Sequence, residues 1–140
     1  MLHKPALKAV MTPFPYAIAI DATVEDARHL MREHDVRHLP VIDGQRLAGI
    51  VSDRDLRMLF CAANIAEFRV RDIHVPEPYV VDLETPLEGV LATMAERQIG
   101  AALVTRHGKL AGIFTAVDAC RCFQEFLQEV FPPAGPDLCA

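Results

Sequence analysis

The chain has 140 residues, of which 51% are hydrophobic and 24% charged, and carries a formal net charge of −5. That composition suffices for one folded domain and excludes wholesale disorder. The acidic balance gives no general attraction to nucleic acid or to anionic membrane surfaces, and no apolar run approaches the roughly 20 residues needed to cross a bilayer.

The opening residues, Met1-Leu2-His3-Lys4-Pro5, lack the apolar stretch of a signal peptide, so a cytoplasmic protein is expected. Residues 1–9 read as a peripheral segment. A first unit, 10–63, opens on a Pro-punctuated turn, Met11-Thr12-Pro13-Phe14-Pro15. A short extended run follows over 16–20. Thr23 suits a helix N-cap, with Glu25 and Asp26 in the first turn, where the helix dipole favours negative charge. Val24, Ala27, Leu30 and Met31 keep helical spacing, and Val36 docks the helix end. Residues 39–42 and 47–51 predict two strands joined by Asp43-Gly44-Gln45, a hairpin. A second helix is expected over 53–63, and a linker over 64–69.

The second unit, 70–131, repeats this grammar. The turn is His74-Val75-Pro76-Glu77-Pro78, and the extended run is 79–83. Thr85 is placed to cap a helix with Pro86 at its first position. Leu87, Val90, Leu91 and Met94 are its apolar stripe, and Ile99 docks its end. Strands are predicted over 101–104 and 110–114, and a closing helix over 117–130. Residues 132–140 read as a tail.

The two units are copies at an offset of 63 residues. Pro13, Pro15 and Tyr16 fall on Pro76, Pro78 and Tyr79. Leu47-Ala48-Gly49-Ile50 falls on Leu110-Ala111-Gly112-Ile113, Ser52 on Thr115, and Asp55 on Asp118. No gap is needed across roughly 45 residues. The predicted fold is α/β (α+β), a tandem β-α-β-β-α arrangement.

Two segments carry candidate chemistry. Gly49 and Gly112 permit close packing or close approach of a ligand. Ser52 and Thr115 stand where a strand gives way to a helix, so each hydroxyl can cap the helix or donate to a phosphate. Asp55 and Asp118, one turn in, can accept both hydroxyls of a ribose or complement the helix dipole. Arg37 and His38 form a second constellation before Leu39-Pro40; they are either phosphate contacts or solvated turn residues. Arg54 is a third basic candidate. None of the three has a basic counterpart in copy two, where Gly100-Ala101 replaces Arg37-His38 and Leu103 replaces Pro40.

The histidines show no metal spacing, and Cys61, Cys120, Cys122 and Cys139 match no zinc pattern, so no metal is expected. A nucleophile elbow, a P-loop and a convincing acid/base pair are all missing, which points to binding rather than catalysis. Phe123, Phe126, Leu127 and Val130 form an apolar helical stripe. It either packs on its own domain or forms a dimer seam with Leu56, Leu59 and Phe60.

Each copy resembles a cystathionine-β-synthase (CBS) motif. In copy one the likeness rests on Val10-Met11-Thr12-Pro13, Ala22-Thr23-Val24-Glu25-Asp26-Ala27, Val36-Arg37-His38-Leu39-Pro40-Val41 and Gly49-Ile50-Val51-Ser52-Asp53-Arg54-Asp55. Copy two carries Val70-Arg71-Asp72-Ile73, Thr85-Pro86-Leu87-Glu88, Ile99-Gly100-Ala101-Ala102-Leu103-Val104 and Gly112-Ile113-Phe114-Thr115-Ala116-Val117-Asp118. The whole is similar to a CBS pair, or Bateman module.

The resemblance implies two motifs packed in a pseudo-twofold arrangement, with clefts that bind AMP, ADP, ATP, S-adenosylmethionine or NAD as regulatory ligands. It implies ribose contacts from Asp55 and Asp118, and phosphate contacts from Ser52, Thr115, Arg37, His38 and Arg54. The base would lie near Ile18, Ile20, Pro40, Val80 and Val81, with hydroxyls from Thr23 and Thr85. It further implies a homodimer that signals in trans to a regulated protein. The alternative is a ligand-free dimerisation or interaction scaffold.

Overall fold

The computed structural model describes residues 4–59 and 64–134. Phe60, Cys61, Cys139 and the end of the tail lie outside the described residues. Within them the chain forms α1 (Leu7–Val10), β1 (Thr12–Pro13), β2 (Ile18–Ala19), α2 (Val24–His34), β3 (His38–Asp43), β4 (Arg46–Ser52) and α3 (Asp53–Arg57). After a 3-10 turn at Ile65–Glu67 come α4 (Val70–Ile73), β5 (Val80–Asp82), α5 (Leu87–Arg97), β6 (Ala101–Arg106), β7 (Lys109–Thr115) and α6 (Ala116–Val130).

The hairpins form as their sequences predict. Two-residue turns link β3 to β4 and β6 to β7, with Gly44 at φ 65° and Gly108 at φ 76°. Strand β2 pairs parallel with β3, and β5 with β6. Both hairpins shift register at the same place, between Val41 and Ile42 and between Val104 and Thr105. Thr23 caps α2 as expected, accepting from the Asp26 amide at 3.0 Å. The start of α5 differs from expectation. Pro86 is the N-cap, because its ψ of 134° is extended, and Thr85 makes no side-chain cap. The Asp82 carboxylate accepts from the Glu84 amide at 2.9 Å and closes that turn instead.

The segments that lead into each copy are neither peripheral nor mere linkers. Leu7, 1% exposed, lies in the core of copy two with Val81, Val90, Met94, Ala102, Val104 and Phe114. Val70, 0% exposed, lies in the core of copy one with Val24, Met31, Leu39 and Val51. Ile65 and Phe68 pack against that core as well, so the linker is built into the fold. The sequence periodicity could not reveal this, because each helical lead-in is only four residues long.

The exchange is reciprocal. Thr12 pairs with Ile113, and Val75 pairs with Ile50. Adding 63 to Thr12 gives Val75, and subtracting 63 from Ile113 gives Ile50. One contact made twice with the roles swapped is the mark of a twofold relation. A Cβ on Gly49 would meet the Val75 carbonyl oxygen, and one on Gly112 would meet Met11. Of the two roles open to these glycines, close packing is the one filled, and the approaching group is the other copy's lead-in.

Among the described residues, no helix is long and apolar enough to cross a membrane. Nor does any group of three or more His, Cys, Asp or Glu there suit a metal ion.

Candidate functional site

Each copy places its Ser/Thr and Asp at a strand-to-helix junction. Ser52 ends β4 and N-caps α3, with its Oγ accepting from the Asp55 amide at 3.1 Å. Asp55 Oδ2 accepts from the Ser52 amide at 2.8 Å and from its hydroxyl at 2.9 Å. Thr115 and Asp118 repeat this at α6, with 3.3 Å for the Asp118 amide and 2.9 and 3.1 Å for the carboxylate. These are capping boxes, so one oxygen of each Asp is held by the helix start. What each copy does with the other oxygen differs.

In copy two, Arg121 donates to Asp118 Oδ1 at 3.2 Å, and Asp118 is 5% exposed. In copy one, Asp55 is half-buried, and its Oδ1 makes no hydrogen bond among the described residues. Met58 stands where copy two has Arg121, and it is exposed. Arg121 was not among the candidates read from sequence. The signal was the spacing of three residues from Asp118, which puts the two on one helix face.

His38 belongs to the open site. It pairs across the hairpin with Ser52. A Cβ on Gly100 would lie 3.4 Å from its Nε2, so the ring stands against copy two at the boundary between copies. Burial pushes its imidazole below the ordinary value of 6.5, while Asp55 and Asp53 pull it part of the way back. The side chain is therefore a neutral imidazole in the ligand-free protein above that value.

Arg37 does not join this group. It lines a groove between α2 and α3 together with Asp53 and Arg57. Arg54 is exposed on the first turn of α3 and makes no side-chain hydrogen bond or ion pair among the described residues. The residues expected near a base differ in exposure. Ile18, Ile20, Val81 and Pro40 are buried, whereas Val80 is exposed. The Ile20 amide donates to the Ile42 carbonyl at 2.9 Å. The Thr23 hydroxyl is occupied by its cap, and Thr85 is half-buried beside an apolar pocket of about 360 Å³ walled by Leu83, Leu87 and Leu91.

The expected dimer seam is also altered. Leu56 is 1% exposed and belongs to the core of copy one, and Leu59 packs on that core. Phe123, Phe126 and Leu127 on α6 are exposed, and the two phenyl rings stack at 6.3 Å.

A family model for the CBS domain matches residues 7–61 and again residues 70–125. The chain is 37% identical over 121 residues to an inosine-5'-monophosphate dehydrogenase of Korarchaeum cryptofilum, an alignment covering 86% of this chain. It spans only 23% of that enzyme. It is similar to CBSX2, solved in complex with AMP, with 30% identity, a TM-score of 0.75 and coverage of 86% of this chain and 97% of that one. The CBS domain of a bacterial CNNM/CorC family Mg2+ transporter, solved in complex with ATP, is 28% identical with a TM-score of 0.73, covering 83% of this chain and 84% of that one.

Proposed function

The chain belongs to the CBS domain family, and from that premise we propose that it is a regulatory module, not a catalyst, whose copy-one cleft binds an adenosine-containing ligand. The candidates are AMP, ADP, ATP, S-adenosylmethionine and NAD. The observation that carries this reading is the contrast between the two caps. Asp55 keeps one carboxylate oxygen open, beside a neutral His38 at the boundary between copies. Its counterpart Asp118 is closed by Arg121. Asp55 would accept the ribose hydroxyls, and Ser52, His38 and Arg54 would face the phosphate. The relatives solved with AMP and ATP support that ligand class.

Bound ligand would brace the two copies against each other and favour one arrangement of an assembly over another. Its readout would be a homodimer acting on a partner protein. The exposed Phe123 and Phe126 support a seam on α6, since contiguous apolar surface of this kind marks association sites. Light scattering should show the dimer in the wild type and its loss in Phe126→Glu.

The test of the ligand reading is a melting series. A nucleotide that binds only the folded state raises the melting temperature. At millimolar ligand, at least one of the five should raise it in the wild type and fail to do so in Asp55→Asn. Flat curves for all five would favour the second reading, a ligand-free interaction scaffold.

A further inference from the structure

The groove between α2 and α3 is lined by basic side chains and does not include Asp55. It has a volume of about 280 Å³, and its lining includes Arg28, Arg32, Arg37 and Arg57 with only two carboxylates, Asp35 and Asp53. The lining thus carries more positive than negative groups, on a chain whose net charge is −5.

Internal pairing leaves two of these cations over, Arg32 and Arg37. Arg57 holds Asp53 at 2.9 Å, and Arg28 lies 3.7 Å from Glu25. The side chains of Arg32 and Arg37 are exposed and make no hydrogen bond or ion pair among the described residues. Arg28 and Arg32 are four residues apart on α2, a spacing at which like charges repel.

The internal repeat supplies the control. Sixty-three residues on, the same four positions hold Leu91, Ala95, Gly100 and Cys120. The motif folds without a cation at any of them, so the fold does not require the arginines.

We propose that this groove binds a compact, multiply charged phosphate anion of the di- or triphosphate type. Guanidinium forks match phosphate oxygens two at a time. The groove is also turned away from the nucleotide cleft. Asp53, Leu56 and Arg57 share one face of α3, and Asp55, two positions from Asp53, projects from the other. The inference is independent of the adenosine reading and can fail without it.

Calorimetry with inorganic pyrophosphate at low salt tests it, because exposed charges are least screened there. Wild type should bind about one pyrophosphate per chain. Arg32→Gln/Arg37→Gln should weaken binding about tenfold or more, in line with two lost charged hydrogen-bond donors. Asp55→Asn should leave it unchanged. Arg32→Lys/Arg37→Lys keeps the charge and loses the forks, so an intermediate affinity is expected. Both double variants should melt with the wild type when unliganded, since the side chains are exposed.

Absence of pyrophosphate binding to wild type, or equal affinity in the Gln variant, overturns the proposal. So does a Gln variant that loses AMP binding as fully as Asp55→Asn. ATP that displaces pyrophosphate from Asp55→Asn would identify a nucleotide's phosphate tail as the source. ATP that does not would identify free polyphosphate.

Discussion

At the start of α6, Arg121 reaches back 3.2 Å to the second oxygen of Asp118; at the start of α3, Met58 occupies that position and Asp55 has no such partner. Around the same capping box, copy two has satisfied its carboxylate internally and buried it. Copy one has left its carboxylate half-open and set His38 beside it. The copies share a scaffold and diverge in the charges attached to it. A duplicated frame is thus compatible with one receptive cleft and one closed one.

The largest effect should come from separating the copies. Residues 4–69 and 64–134, expressed apart, should each fail to fold, because each would lack the buried lead-in that completes its core, Val70 in one case and Leu7 in the other. Circular dichroism that showed either fragment melting cooperatively would break the picture of reciprocal exchange.

Next come the glycines against which the lead-ins pack. A methyl on Gly49 would press on backbone, the Val75 carbonyl, whereas one on Gly112 meets first the flexible end of Met11. Gly49→Ala should cost about 2–3 kcal/mol and Gly112→Ala about 1 kcal/mol less, by denaturant titration. Equal costs would mean that the two boundaries are packed alike.

The caps should then separate. Asp118→Ala should cost about 2–3 kcal/mol, since it strips partners from a buried network, and Asp55→Ala about 1 kcal/mol, the usual value of a cap. If Asp55→Ala proved the costlier, Asp55 would be the structural member of the pair.

The smallest effect concerns pH. His38 has a lowered folded value, so the unfolded chain takes up its proton first as pH falls through about 6.5. Folded stability should therefore decline below that pH until the folded imidazole is itself protonated. For one proton the slope is no steeper than about 1.4 kcal/mol per pH unit. His38→Gln should remove that share of the decline. Phosphate affinity in the same cleft should run the opposite way and rise as His38 gains its charge; if it is flat, His38 does not touch the phosphate.

Much of the fold was legible in the sequence because its signals are local. Thr23, the two hairpin glycines and the stripe ending in Met31 each act within a few residues. The lead-ins were not legible, because Leu7 and Val70 are buried against the other copy: the buried partners of Leu7 begin at Val81, and those of Val70 lie between Ile18 and Leu56. At the site, Ser52, Asp55, Thr115 and Asp118 were legible as caps. Their inequality was not, because it turns on Arg121, three residues past the motif. Arg37 was grouped with His38 by adjacency, yet it lines the groove between α2 and α3.

The exchanged lead-ins also say something about why the two copies share one chain. Two separate motifs of this kind would have to find each other and trade arms, so their folding would depend on concentration. A covalent join replaces that encounter with a fixed effective concentration. It also releases the pair from sameness. A dimer of identical copy-one motifs would carry Arg37 in the place of Gly100, so each His38 ring would meet an arginine where it now lies against a glycine. A fused chain can give one side the imidazole and the other the space to receive it.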